Sequence, residues 1–185
     1  MEIIDTAIPD LKIIQPRIFG DARGYFFESY NRQQLETCGL TAEFVQDNQS
    51  LSAKNVIRGL HFQCPPYAQG KLVRVATGRA MDVAVDIRKG SPTYGQYVSV
   101  ILSSEKNNMF WIPAGFAHGF VALEDHTLFL YKTTNFYNKA SEGALRWNDP
   151  DIHVQWGIDH PIISEKDQIS GFFKDFDSPF VYEGK

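Results

Sequence analysis

The sequence has only two cysteines, Cys38 and Cys64, and no CxxC pair. Two isolated thiols build neither a disulfide framework nor a cysteine zinc site, so they read as reduced intracellular thiols. Positive charge is also scarce: 18 Lys and Arg against 22 Asp and Glu leave a net charge of −4. A nucleic-acid-binding domain needs a basic face, so that class is excluded, and any phosphate site must be a local cluster of cations. No stretch approaches the ~20 apolar residues of a membrane-spanning helix. Met1-Glu2-Ile3-Ile4-Asp5 lacks the basic and apolar regions of a secretory signal. A cytoplasmic protein with no membrane or nucleic-acid partner is expected. A Gly-rich phosphate loop is missing as well, which excludes nucleotide hydrolysis of the P-loop type.

What is present is a strong period of two. Lys71, Val73 and Val75 alternate with Leu72, Arg74 and Ala76; Arg79, Met81, Val83 and Val85 alternate with Ala80, Asp82, Ala84 and Asp86. Further strands are predicted over Leu11–Ile14, Tyr25–Ser29, Tyr97–Leu102, Met109–Ile112, Gly119–Leu123 and Leu128–Thr134. Turn residues separate them, among them Thr77-Gly78, Pro113-Ala114-Gly115 and Glu124-Asp125. Many short strands at close spacing predict an antiparallel sandwich or barrel. Helix signals are few. Asn31–Cys38 has an N-cap in Asn31 and Gly39 after its end, and Ser164–Ile169 has a cap in Ser164 with acidic Glu165 behind it. The Phe- and Asp-rich tail from Gly171 is expected to pack across the domain.

The chemistry concentrates in Arg58-Gly59-Leu60-His61-Phe62-Gln63 and Gln69-Gly70-Lys71-Leu72-Val73-Arg74. An imidazole takes a proton near neutral pH, an ammonium stabilises an oxyanion, and an arginine fork holds a phosphate. Each residue also has a purely structural reading. His61 is either a base or a hydrogen-bonded core histidine. Lys71 is either an electrophile or a solvated strand-end lysine. Tyr131 is either a proton donor or an ordinary sheet tyrosine. His118, framed by Gly115 and Gly119, is either at a pocket rim or a turn cap. Asp167 is either the partner of a histidine or a helix-dipole carboxylate. Arg23, Glu28 and the cluster Gln46, Asp47, Asn48 either shape turns or read the hydroxyls and base of a nucleotide sugar. His61 and His118 lack the closely spaced second ligand of metal-binding barrels, so no metal is expected. Strict alternation puts Arg58 and His61 on opposite faces of one strand. A bulge at Gly59 would reconcile them; otherwise Arg58 acts from the strand's start.

Several long motifs, in order, resemble the dTDP-4-dehydrorhamnose 3,5-epimerase family. They are Phe19-Gly20-Asp21-Ala22-Arg23-Gly24-Tyr25-Phe26, Phe44-Val45-Gln46-Asp47-Asn48-Gln49-Ser50, the His61 and Lys71 motifs above, Phe116-Ala117-His118-Gly119-Phe120, Phe129-Leu130-Tyr131-Lys132 and Ser141-Glu142-Gly143. The resemblance implies one cupin-like jelly-roll (double-stranded β-helix) domain over residues 1–185, a homodimer, and no metal or cofactor. It implies a dTDP-4-keto-6-deoxyhexose as substrate. It makes His61 the base, Tyr131 the acid and Asp167 the partner of His61, with Lys71 and His118 at the sugar. Arg23, Glu28, Gln46, Asp47, Asn48, Arg58, Glu142 and Lys166 then contact the nucleotide sugar. Three alternatives stand beside this reading: an epimerase acting at C3 or C5 alone, a non-catalytic sugar-nucleotide binding module, and a metal-dependent cupin oxygenase.

Overall fold

The computed structural model describes residues 1–184. In chain order the strands are β1 (Glu2–Asp5), β2 (Lys12–Gln15), β3 (Phe19–Asp21), β4 (Gly24–Phe26), β5 (Gln46–Ser52), β6 (Val56–Gln63) and β7 (Lys71–Thr77). They continue with β8 (Arg79–Asp86), β9 (Tyr97–Ser103), β10 (Met109–Ile112), β11 (Phe116–Ala122), β12 (Thr127–Thr133), β13 (Glu142–Ala144) and β14 (Ile162–Ile163). Two short helices, α1 (Arg32–Thr37) and α2 (Glu165–Gln168), interrupt them. Both start where the caps were predicted: Asn31 accepts from the Gln34 amide and Ser164 from the Asp167 amide.

The first sheet runs β1-β2-β10-β7-β12-β5 and the second β13-β6-β11-β8-β9, with β14 added to β6. Between β5 and β12 the chain crosses repeatedly from one sheet to the other, which makes the pair a jelly-roll sandwich. The alternating residues explain the layer between the sheets. Val73, Val75, Phe110, Ile112 and Phe129 of the first sheet meet Ala80, Ala84, Leu102, Phe116 and Phe120 of the second in one buried cluster. Each large side chain buried there contributes about 1.5–3 kcal/mol.

Both outer faces are covered too, which is why several strands are apolar on both sides. Leu35 of α1, with Leu40 behind it, packs on Ile14, Leu72 and Met109. Ile152, Val154 and Trp156 cover Val83, Val85, Ala117 and Val121, joined by Phe173, Phe176 and Phe180 of the tail. Two expectations are corrected. The strand predicted over Tyr25–Ser29 is only Gly24–Phe26, in a separate hairpin with β3 whose residues are all exposed. Gln46–Ser52, too polar to stand out by periodicity, is a full edge strand paired with β12.

Candidate active site

At one end of the sandwich the interior layer turns from apolar to polar. The alternation that sends Val73 and Val75 inward also sends Lys71 inward. Phe129 brings Tyr131 with it, and Phe116 and Phe120 flank His118. Lys71, Tyr131 and His118, with Arg58, His61 and Asp167, line a cavity of about 510 Å³. A roomier cavity of about 640 Å³ lies elsewhere, but its guanidinium, Arg88, is bonded to Asp86 and Asp10, and it contains no histidine.

Gly59 sets the geometry of β6. His118 stands opposite His61 and Phe120 opposite Arg58, so two steps along β11 match three along β6. The bulge puts Arg58 and His61 on the same face, beside the cavity. Gly59 has φ +144°, and a Cβ there would stand 2.6 Å from the Gly119 Cα, so only glycine fits.

His61 Nε2 lies 2.6 Å from Asp167 Oδ1. Asp167 comes from α2, which β14 carries alongside β6. The other carboxylate oxygen accepts a long bond from the Gly59 amide, at 3.4 Å. Burial pushes the Asp167 carboxyl up, but the hydrogen bond and charge of His61, helped by the Gly59 amide and Ser164, hold it below the usual carboxylate value. The ring is thereby oriented by an ionised partner.

Lys71 is buried and its Nζ donates to the His61 carbonyl at 3.4 Å. Burial lowers its pKa to about 8, against the pull of Asp82. His118 is bonded through Nε2 to Asp82 at 2.9 Å, and burial pushes its pKa down, with Asp82 opposing. Tyr131 faces the cavity from the opposite sheet. Burial raises its phenol pKa, against the effect of the Arg58 cation, so the phenol keeps its proton. Arg58 is exposed at the mouth, tethered by Ser52 Oγ at 3.1 Å and the Leu51 carbonyl at 3.3 Å. Lys166, on the rim, donates to Glu142 at 2.7 Å.

The remaining residues singled out by sequence divide by strand parity. Gln46 and Asn48 share the inward side of β5 with Ser50, which lines the cavity, and Asn48 stands opposite Tyr131. Asp47 points the other way and pairs with Lys132 at 2.8 Å. Arg23 is exposed in the β3–β4 turn, bonded to Asp21. Glu28 accepts from Asn31 and Gln34 beside α1. Neither lines the cavity of its own chain. Sequence reasoning passed over Ser50 and Asp82. The signal for Asp82 was available: it is the carboxylate between Ala80 and Ala84 on an inward-facing row.

A histidine–aspartate pair and a protonated tyrosine face one cavity from two sheets, with a buried ammonium lining it too, the set of groups an acid–base enzyme on a jelly roll requires. The sequence profile of the dTDP-4-dehydrorhamnose 3,5-epimerases matches residues 5–175. The Salmonella typhimurium enzyme of that name is 57% identical over 169 residues, covering 90% of this chain and 92% of its own. The structure of a Legionella pneumophila dTDP-6-deoxy-D-glucose-3,5-epimerase, in complex with dTDP-4-keto-L-rhamnose, superposes with a TM-score of 0.95 at 46% identity, over 99% of both chains. ChmJ, a 3′-monoepimerase from Streptomyces bikiniensis, superposes at 0.86 with 27% identity, over 91% of this chain and 86% of its own. The chain belongs to the dTDP-4-dehydrorhamnose 3,5-epimerase family, and its sandwich is the cupin-like fold of that family.

Proposed function

We propose that this chain inverts C3 and C5 of dTDP-4-dehydro-6-deoxy-D-glucose to give dTDP-4-dehydro-L-rhamnose, with His61 as base and Tyr131 as acid. One observation carries the mechanism: His61 on β6 and Tyr131 on β12 line one cavity from opposite sheets. Inversion requires removal of a proton from one face of a carbon and its return to the other. The C4 ketone acidifies the hydrogens on C3 and C5. His61 takes one, and its imidazolium is stabilised by Asp167. The electrons move onto the C4 oxygen, where the Lys71 ammonium meets the enolate. Tyr131 then delivers its phenolic proton from the far side. The substrate's oxidation state does not change, so the scheme calls on no redox cofactor.

Arg58 and Lys166 at the mouth supply the local positive charge for the diphosphate, with Glu142 holding Lys166 in place. Gln46 and Asn48 extend the polar wall toward the nucleoside. A homodimer is part of this reading, supported by the edge strand β1 and by the exposed Phe19, Tyr25 and Phe26 of the β3–β4 hairpin. Arg23 and Glu28 then serve the ligand of the second copy. The free thiols Cys38 and Cys64 fit a cytoplasmic location. Among the described residues, no helix is long and apolar enough to cross a membrane.

The test is incubation with the keto sugar nucleotide in D₂O. Deuterium at both C3 and C5 is expected. Deuterium at one carbon alone would make the chain a single-position epimerase, and none would overturn the reading.

A further inference from the structure

Asp82 has no exposed surface, and the reaction as written makes no use of it. Its Oδ2 lies 2.9 Å from His118 Nε2. Its Oδ1 has no hydrogen-bond partner among the described residues. A buried oxygen left unpaired is costly, and such costs persist where function needs the group. The neighbours offer no other polar contact: Phe120 on β11 and Val100 on β9 stand opposite it, and Ala80 and Ala84 share its face. The charged and titratable groups that act on Asp82 are His118 from β11 and Lys71 from β7. His61, on β6, acts on His118 as well.

We propose that Asp82 is a positioning residue of this site. Bonded to Nε2, it turns the His118 ring so that Nδ1 faces the cavity as a bare acceptor for a sugar hydroxyl. It also supplies the fixed negative charge that keeps Lys71 an ammonium beside the substrate oxygen. The inference rests on the epimerase reading above.

The assignment follows from counting protons. A carboxylate only accepts, so Nε2 carries the hydrogen in this bond. A neutral imidazole has one N–H, which leaves Nδ1 with a lone pair. Burial favours that neutral ring. Nδ1 has no partner among the described residues, and His118 lines the cavity. A lone pair meets a hydroxyl, not an oxyanion, so stabilising the enolate falls to Lys71. Among the described residues the Lys71 ammonium has only a long bond, to the His61 carbonyl. Its charge therefore depends on the carboxylate of Asp82. Burial holds that carboxyl above its ordinary value, with His118 and Lys71 opposing the shift and favouring the ionised form.

The first test is ¹⁵N NMR of the wild-type protein between pH 6 and 8, with the His118 signals assigned by loss in His118→Asn. A protonated Nε2 and a bare Nδ1 are expected. The opposite tautomer, or an imidazolium across that range, overturns the proposal. The second test is Asp82→Asn, whose carbonyl still accepts from Nε2 while the charge is gone. Expected are dTDP affinity within about twofold of wild type, kcat/KM at pH 7 reduced roughly tenfold or more, and an alkaline limb moved down by about one pH unit. Superposable pH profiles overturn the proposal. Should Asp82→Asn not fold, the wild-type tautomer decides alone. Absence of deuterium exchange by the wild type sinks the epimerase reading. Exchange by the wild type together with an unshifted Asp82→Asn profile sinks only the role of Asp82.

Discussion

Arg58 and His61 are three positions apart on β6, yet they pair with Phe120 and His118, which are two positions apart on β11. The extra residue turns two side chains that strict alternation would separate toward one cavity. The guanidinium proposed to hold a phosphate and the imidazole proposed as base are thereby placed on one face of a single strand.

Gly59→Ala tests that arrangement. The new Cβ would meet the Gly119 backbone at 2.6 Å, at a φ that L-residues rarely adopt. A stability loss of about 3 kcal/mol is expected, lowering Tm by roughly 6–12 °C. Activity should fall much further than stability at 25 °C, because His61 moves with the strand. Thermal unfolding and turnover measured on the same sample check both.

The sequence made most of the sandwich legible, because Val, Ile and Phe at period two mark strands with a buried face. Met109–Ile112 was read with its observed bounds, and both helix caps were read correctly. β5 was not visible because its inward face lines a polar cavity, so no hydrophobic alternation marks it. The hairpin was overextended because Tyr25-Phe26-Phe27 looks like a core strand, although Tyr25 and Phe26 are exposed. Of the site, His61 and Lys71 stood out by residue type and their closely spaced motifs, whereas Tyr131 looked like an ordinary sheet tyrosine and was singled out by the family resemblance. The contact of Asp167 with His61 was beyond local pattern, since it joins residues 106 positions apart. Asp47 was grouped with Gln46 and Asn48, but alternation puts it on the outer face.

Tyr131→Phe keeps the ring beside Phe129 and removes only the hydroxyl. If Tyr131 is the acid, proton removal by His61 survives while its return to the opposite face fails. Substrate recovered from D₂O should carry deuterium without inversion, with product formation down by roughly 10²–10³. Stability should change by about 1 kcal/mol or less. Equal loss of exchange and inversion would remove Tyr131 from the reprotonation step.

Asp167→Asn removes the charge that orients His61. A fall in kcat of roughly 10³ or more is expected, with dTDP affinity retained. The carboxyl is held below its usual value in the fold. Its contribution to stability is therefore complete at neutral pH and is lost as pH falls from about 4 through the folded value. Denaturation midpoints measured between pH 6 and 3 should drop more steeply for the wild type than for Asp167→Asn.

Arg58→Ala should raise KM for the sugar nucleotide by roughly tenfold while leaving kcat within a few-fold. Arg32, paired with Glu36 on the surface of α1, is the control. Arg32→Ala should leave both KM and Tm indistinguishable from wild type, because a solvent-exposed ion pair contributes little. Indistinguishable KM values for the two variants would take Arg58 out of the phosphate role.

Lys71 ties activity and stability to pH in opposite directions. In the proposed mechanism its ammonium is the form that meets the enolate, so kcat/KM should decline as pH rises through about 8. Stability responds to the same proton with the other sign. The folded pKa lies below the ordinary value of 10.5, so between about 8 and 10.5 the unfolded chain holds more protons than the folded one. The Lys71 contribution to unfolding free energy therefore rises across that window. Lys71→Met should abolish turnover and flatten this part of the stability profile, while dTDP binding persists. Turnover within a few-fold of wild type in Lys71→Met would refute the electrophile. An unchanged stability slope would refute the buried ammonium. Chemical denaturation at pH 7.5, 8.5 and 9.5, run beside initial rates at the same values, separates the two.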